Sequence, residues 1–429
     1  MRSPGSLLSR QFGSLRVHNY RLYFFGQMIS LVGTWMQTTG QAYLVLKLTG
    51  SAAALGTVTA LQFLPITLFT LFGGVFADRL PKRRMLMITQ SIAMIQAFVL
   101  GALVVTGRVE LWHIYVLALT LGTVNAFDGP VRQSFVVELV GRDQLVNAVA
   151  LNSSIFNVAR IIGPAVAGLA IALFGLSLAF FVNGASFVAV IIAYFMMRPG
   201  EFAAVPKRFA TGSIFTQIAE GLRYSWRTPT VLFVFILLAF MGTFGFNFTV
   251  VIPLVAEFVL KVGPGKFGLL TAAMGVGSLI SALILAAVGQ ASSRVLLVAA
   301  SAFVLIFGLV AVSEWFWLTV ALLVVLGIAA VAFSTTINTS LQLTVPDELR
   351  GRVMSIFFLL FAGSTPIGGW LTGTFAEIIG VRATLGIEAC ICAVGVGTAY
   401  TYRLMHSEAF AEAARMKAAE RLALGARAG

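Results

Sequence analysis

The sequence predicts an all-α integral membrane protein of twelve transmembrane helices, arranged as two six-helix halves. Three observations predict it: an apolar composition, the spacing of long apolar stretches, and basic residues confined to one side of them. The 429 residues are 59% hydrophobic and 10% charged, whereas a soluble protein is about 25% charged. Too little polar surface exists to cover a water-soluble fold of this size, so lipid must be the solvent for much of the chain. The 42 glycines suit helices whose backbones touch inside a membrane.

Stretches able to cross a hydrocarbon core of ~30 Å lie near 22–46, 53–77, 85–106, 111–129, 146–173 and 178–197. They resume near 230–255, 268–289, 295–313, 315–338, 353–379 and 383–403. The organisation is therefore an N-tail (1–21), a first half (22–197), a linker (198–229), a second half (230–403) and a C-tail (404–429). Arg2, Arg10, Arg16 and Arg21 precede the first apolar run. That run is too long for a leader's core and lacks a small-residue cleavage site, so it reads as a spanning helix.

With the N-terminus inside, only Lys47, Arg108, Lys261, Lys266 and Arg382 of the 29 lysines and arginines fall in outer loops. Arg160 falls within a span, and the rest are inside. This is the positive-inside pattern, and it puts both termini in the cytoplasm. The net charge of +13 is thereby assigned to membrane lipid headgroups rather than to nucleic acid. In the linker, Ile214, Phe215, Ile218, Leu222 and Trp226 share one helical face opposite Glu220 and Arg223, which predicts an amphipathic helix on the membrane surface. A further helix is expected in the tail from Ser407.

The halves echo each other at an offset of roughly half the chain. Leu121-Gly122 corresponds to Leu326-Gly327, Gly163-Pro164 to Thr365-Pro366, and Phe174-Gly175-Leu176 to Ile379-Gly380-Val381. Same-direction repeats of six helices are an architecture of secondary transporters.

The second span ends Gly73-Gly74-Val75-Phe76-Ala77-Asp78-Arg79-Leu80-Pro81-Lys82-Arg83-Arg84. This resembles the major facilitator signature Gly-x-x-x-Asp-Arg/Lys-x-Gly-Arg/Lys-Arg/Lys. Gly74, Asp78, Arg79, Lys82 and Arg83 match, and Pro81 replaces a Gly. Independently of the name, a carboxylate here can meet the N-terminus of the eleventh helix, and Lys82 can pair with Asp78 and with Asp128 of the fourth. The resemblance implies a cytoplasmic gate closed by this cluster in the outward-facing state. The basic run read alone equally serves as a topology signal. The corresponding loop of the second half, Gly289 to Arg294, lacks the acid.

Further stretches resemble the enterobactin-exporter and macrolide-efflux branch of the same superfamily: Asn125 to Gln133, Asn147 to Ser153, Asn157 to Pro164, and Glu220 to Tyr224. The resemblance covers residues 15–400 and implies the major facilitator fold and export of a small-molecule substrate, with a proton as the coupling partner. Gly163, Pro164 and Gly168 resemble an antiporter motif of the fifth helix, with Ala167 in place of a Gly; close helix packing around a kink explains the same residues.

Signatures of enzyme chemistry are missing, and no cofactor is expected. The sequence has no nucleotide-binding Gly-x-x-x-x-Gly-Lys-Ser/Thr, and His18, His113 and His406 are scattered, which offers no metal set. Glu388 is the one acid within a span; it is a candidate carrier of the coupling proton, or else an acid that snorkels or pairs near the outer surface on a peripheral helix. Arg160, midway along the fifth helix, is costly unless it meets water, a counter-ion or protein. It can contact substrate, pair conformationally or bond to carbonyls. Other candidates for the pathway are Gln37, Gln41, Tyr43, Gln62, Phe63, Asn125, Asn152, Phe156, Asn247, Phe248, Asn338 and Phe361. The expectation is a monomeric exporter of amphipathic molecules in the bacterial cytoplasmic membrane. An importer of the same fold and a membrane enzyme or lipid-modifying protein are the alternatives.

Overall fold

A computed structural model describes residues 13–203, 214–288, 292–412 and 415, and of residues 70–79, 214–218, 288 and 347 the backbone alone. The first half contains α1 (His18–Thr49), α2 (Ala52–Arg79), α3 (Lys82–Val105), α4 (Leu111–Val140), α5 (Leu145–Phe174) and α6 (Ser177–Met196). A linker helix, Ile214–Arg227, leads to α7, which is broken into α7a (Pro229–Phe244) and α7b (Phe248–Leu254) and continues through a π turn, Val255–Val259. Then come α8 (Pro264–Val288), α9 (Ser293–Val312), α10 (Phe316–Thr344), a broken α11 (α11a Asp347–Phe361, α11b Thr365–Ile379) and α12 (Val381–Met405). No strand occurs among the described residues.

Among the described residues, eleven helical segments are long and apolar enough to cross a membrane. The helix outside that set is α1, 32 residues long but interrupted by amides and hydroxyls. Gly50 ends it in the left-handed region (φ 61°), donating its N–H to Leu46, as a helix C-terminal glycine does. The lipid-facing side is plain on α3, where Ile88, Ile92, Ile95 and Val99 form one exposed apolar stripe. We call the end of the bundle bearing Gly50, Lys261 and Gly380 the upper end, and the end bearing Lys82, Arg142 and Arg352 the lower.

The sequence repeat is a structural one. Gly122 of α4 lies against the backbone of Gln62 on α2, and Gly327 of α10 against that of Met274 on α8, each with no room for a Cβ. Gly175 and Gly380 both end helices at φ 87°.

Several helices are longer than their apolar runs. At 1.5 Å per residue the 30 residues of α4 extend about 45 Å, well past the hydrocarbon. Asp128, at the end of the apolar stretch 111–129, is therefore three turns inside α4 rather than at a helix end. The reading of α7 and α11 as continuous helices is also corrected. The chain leaves the helix at Gly245–Asn247 and at Ala362–Ser364. Gly245 weakens the first site, and the missing N–H of Pro366 helps end the second. The breaks lie side by side, with Gly242 against Leu360 O and Gly368 against Thr243 O.

Residues 1–12 of the N-tail, the Ile214, Phe215 and Ile218 side chains of the linker stripe, and residues 416–429 lie outside the described residues. Leu222 and Trp226 of that stripe are exposed, while Glu220 pairs with Arg352 of α11a. Residues 407–412 are helical.

Candidate functional site

A cavity of about 430 Å³ lies between the halves. Trp35, Thr38 and Thr39 of α1, Phe156 and Arg160 of α5, and Phe267, Thr271 and Met274 of α8 line it. Ser334 of α10 and the broken ends of α7 (Phe246, Phe248, Thr249) and α11 (Phe361, Thr365) complete the wall. Helix breaks at cavity depth are tolerable because the freed backbone groups face protein or water rather than lipid. A second lobe of about 170 Å³ shares Trp35, Phe63 and Phe156 with the first and adds Gln41 and Gln62. The surface is aromatic and hydroxylic. Among the described residues, Arg160 is its one cation and no carboxylate lines either lobe.

Of the sequence candidates, Phe63, Phe156, Arg160, Phe248 and Phe361 reach the main cavity. Gln41 donates to Gln62 Oε1 at 3.1 Å in the side lobe. Of the remaining amides, Gln37 and Asn152 hold helices together. Gln37 donates to Gln96 Oε1 (2.9 Å) and accepts from Asn183 Nδ2 (2.7 Å), knotting α1, α3 and α6. Asn152 accepts from the Tyr20 hydroxyl, Asn338 accepts from Gln342, and Asn247 is buried. Tyr43 packs on apolar residues, and Asn125 is outside the cavity wall. An amide inside a membrane bundle satisfies itself with another amide before it waits for a ligand. The hydroxyl face of α1, with Thr34/Trp35, Thr38 and Ala42 at helical spacing, was the signal that polarity alone missed.

Arg160 donates to the Ser278 hydroxyl of α8, so it bridges the halves while facing the cavity. No carboxylate pairs with it among the described residues.

The halves are joined above the cavity. Leu44, Val45, Leu55 and Val58 of the first half share one buried core with Val250, Val251 and Leu254 of the second. At the lower end Tyr20, Tyr23, Leu86, Phe135 and Tyr194 form a separate core within the first half alone. Two glycine seams close the upper end. On α5 and α8, the position of a Cβ on Gly168 would lie 2.6 Å from Pro264 O. On α2 and α11b, that of Gly56 would lie 2.6 Å from Gly369 O. Gly163 packs as tightly on Trp35 and Val32 of α1, with Pro164 following inside the helix.

A latch sits on the second seam. Glu377 Oε2 of α11b accepts from the N–H groups of Ala52 (2.6 Å) and Ala53 (3.2 Å) and from the Ser51 hydroxyl (3.0 Å). The orphan donors opening α2 are thus met by a carboxylate from the other half, where the helix dipole also favours it. Glu377→Gln should weaken this latch by about 1 kcal/mol and raise upper-side labelling of a cysteine placed at Thr38 by roughly fivefold. Unchanged labelling at equal expression would show that the latch carries no part of the closure.

At the lower end, Lys82 does not take the Asp128 partner read in the sequence. Lys82 pairs with Glu138 of α4 at 2.7 Å. Arg83 donates to the terminal carbonyls of α6, Tyr194 O (2.7 Å) and Phe195 O (3.1 Å). Asp128, fully buried, pairs with Arg132 one turn on and accepts from Thr89 (2.7 Å) and Gln90 (2.9 Å) of α3. Arg132 also donates to Gln27, so it is a bundle residue rather than the surface cation of the charge pattern. A buried acid pairs with the cation that shares its helical face, and Lys82, anchored at the start of α3, finds the acid at α4's end. The side chains of Asp78 and Arg79 lie outside the described residues, and Gly74 lies within α2.

Known proteins match both sequence and fold. The chain is 27% identical over 393 residues to the multidrug efflux pump Tap of Mycolicibacterium fortuitum, covering 89% of this chain and 95% of that one. It is 27% identical over 375 residues to the staphyloferrin A transporter of Staphylococcus aureus, covering 85% and 91%. Among solved structures, a bacterial homologue of the lysosomal transporter Spinster, inward-facing and unoccupied, superposes with a TM-score of 0.71 at 14% identity over 92% of this chain and 98% of that one. The chain is a multi-pass membrane transporter and not an enzyme. The family model of the transmembrane secretion effectors matches residues 9–428, and the chain belongs to that family of the major facilitator superfamily.

Proposed function

We propose that this transporter exports amphipathic small molecules, siderophore-like or drug-like and neutral or anionic, by proton-coupled alternating access. It acts as a monomer in a bacterial cytoplasmic membrane, with α1 as a twelfth span, both termini in the cytoplasm and the upper end outward. The observation that carries this is the cavity wall: aromatic rings and hydroxyls around one arginine, with no carboxylate to hold a cationic drug. A drug-efflux pump and a siderophore transporter among the relatives support the same substrate range.

Uptake into everted vesicles, with and without a pH gradient, across a panel of siderophores and hydrophobic drugs tests the reading. Accumulation of anionic or neutral members that needs the gradient is expected. Uptake by intact cells instead would make it an importer. For topology, single cysteines at Lys82 and Lys261, in a background lacking Cys390 and Cys392, should be labelled from the periplasm only at 261.

The cytoplasmic gate is proposed to use Asp78 against the start of α11a in the outward-facing state. Asp78→Asn should insert normally, because acids contribute little to orientation. It should destabilise that state by about 1–3 kcal/mol. Transport at the wild-type rate would leave the motif a topology signal.

A further inference from the structure

Glu388 is a buried acid that the transport geometry leaves unused. Glu388 of α12 is 3% exposed and faces α11b rather than lipid. Its Oε1 lies 2.5 Å from the Thr372 hydroxyl, and its Oε2 has no hydrogen-bond partner. The same hydroxyl lies 2.8 Å from Gly368 O and 3.4 Å from Asn247 Nδ2.

Proton counting favours the neutral form of this group. A hydroxyl has one hydrogen and two lone pairs, a carbonyl only accepts, and an amide nitrogen only donates. An ionised Glu388 would compete with Gly368 O for the single Thr372 hydrogen. With a proton on Oε1 every contact is met at once. Glu388 donates to Thr372, Thr372 donates to Gly368 O, and Asn247 donates to the remaining lone pair.

No neighbouring element brings a charge to stabilise the anion. Across the packing partners of α12, α7a has no titratable residue, and α9 has only Arg294 at its lower end. On α11b, Glu377 is engaged with α2, and the π turn carries Glu257. On α12 itself, Arg382 pairs with Glu314 at the upper end, and Cys392, one turn below Glu388, directs its thiol at Phe240 O. Cys390 is exposed, and Tyr400, Tyr402 and Arg403 lie towards the lower end.

Position places the acid between two open spaces. Asn247 occupies the break of α7 between two residues of the cavity wall, Phe246 and Phe248. Above, Val381 and Arg382 line a vestibule at the upper end, about 9 Å along the helix from Glu388.

We propose that Glu388 is a proton-exchange site, loaded in this upper-sealed state and linked through Thr372 and Asn247 to the break in α7. On release, the Oε1 proton passes to water in the cavity, and the Thr372 hydrogen turns from Gly368 O to the carboxylate. The anion left behind is buried without a cation, which is strongly unfavourable unless the packing around it changes. A deprotonated Glu388 therefore favours the state in which α7 and α12 admit water from above. This role rests on the proton-coupled transport proposed above.

Infrared pH-difference spectra of the full-length protein in lipid nanodiscs test the site without any substrate. Wild type should show a protonated-carboxyl C=O band at neutral pH. Glu388→Gln should lose that band, and Thr372→Val, which removes its hydrogen-bond partner, should shift it to higher frequency. The same band in Glu388→Gln, or none in wild type, would overturn the site. In proteoliposomes, accumulation driven by a pH gradient should fall in Glu388→Gln to the level seen without a gradient. Gradient-driven accumulation equal to wild type would overturn the coupling. A wild type that shows the band but no gradient-driven transport would overturn the coupling and the transport reading together, leaving a structural protonated acid.

Discussion

Gly168→Leu is expected to hold the upper end open and to abolish transport. The position of a Cβ here would lie 2.6 Å from Pro264 O, 3.1 Å from Gly268 Cα and 3.2 Å from Gly265 Cα. These are backbone atoms of α8, which cannot step aside as a flexible side chain would. Closing over a leucine must therefore separate the helices along the seam where they now touch. Overpacking of this kind costs about 1–3 kcal/mol, occasionally more, and the cost falls only on the upper-sealed state. A bias of that size moves the balance of states roughly 5- to 150-fold. The readout is a cysteine at Thr271, in the cavity wall, labelled in intact cells by an impermeant maleimide in a background lacking Cys390 and Cys392. Labelling should rise by that factor in Gly168→Leu. Gly397→Leu is the control, since nothing lies within 4 Å of a Cβ there, and it should label as the parent does. If Gly168→Leu labels slowly and transports normally, the seam is not part of the closure.

The second large effect is expected at Arg160. Among the described residues it is the one cation of the cavity wall, and none of them offers it an acid there. A cation in a low-dielectric cavity attracts an anion and repels another cation strongly. Arg160→Gln should raise KM for an anionic substrate roughly tenfold to a hundredfold, the worth of a hydrogen bond to a charged group, about 1.5–3 kcal/mol. It should spare neutral substrates. Arg160→Lys keeps the charge but loses the planar fork, so it should fall between the two for carboxylates and catecholates. The bond to Ser278 complicates the reading, because a strut between halves would also fail when cut. Ser278→Ala separates the two roles by removing the strut's partner and keeping the cation. Selectivity for anions should survive in Ser278→Ala and be lost in Arg160→Gln. If folded Arg160→Gln moves anions as wild type does, the arginine serves packing alone.

The candidate site was legible only in part. Arg160 could be found because a fixed charge within an apolar run is conspicuous, and the phenylalanines because they sit on the right helices. The amides misled. Gln37 and Asn152 have the polarity of ligand groups, yet each finds a partner on a neighbouring helix. Glu377 could not be singled out, because its role needs the N-terminus of α2, far away in sequence, to arrive beside it. Glu388 was visible as an acid in a span, but its direction was not. A helix with few charges gives no clear signal of which side faces lipid, and here the acid turns inward to Thr372.

What the sequence determined by itself was the membrane, the helices, the two-fold repeat and the sidedness of the basic residues. Each of these follows from properties local to a segment: the length of an apolar run, the charge of a loop, a Leu-Gly pair recurring at Leu121-Gly122 and Leu326-Gly327. Tertiary structure alone decided where α7 and α11 break, which end is sealed, and which acids meet which donors. The sequence offers Asp128 as a partner for Lys82, and the structure gives Asp128 to Arg132 and Lys82 to Glu138. A helix can be specified by its own residues, because all its backbone bonds are internal. A seam such as Gly168 against Gly268, or a latch such as Glu377 on Ala52, exists only when two separately specified helices are brought together.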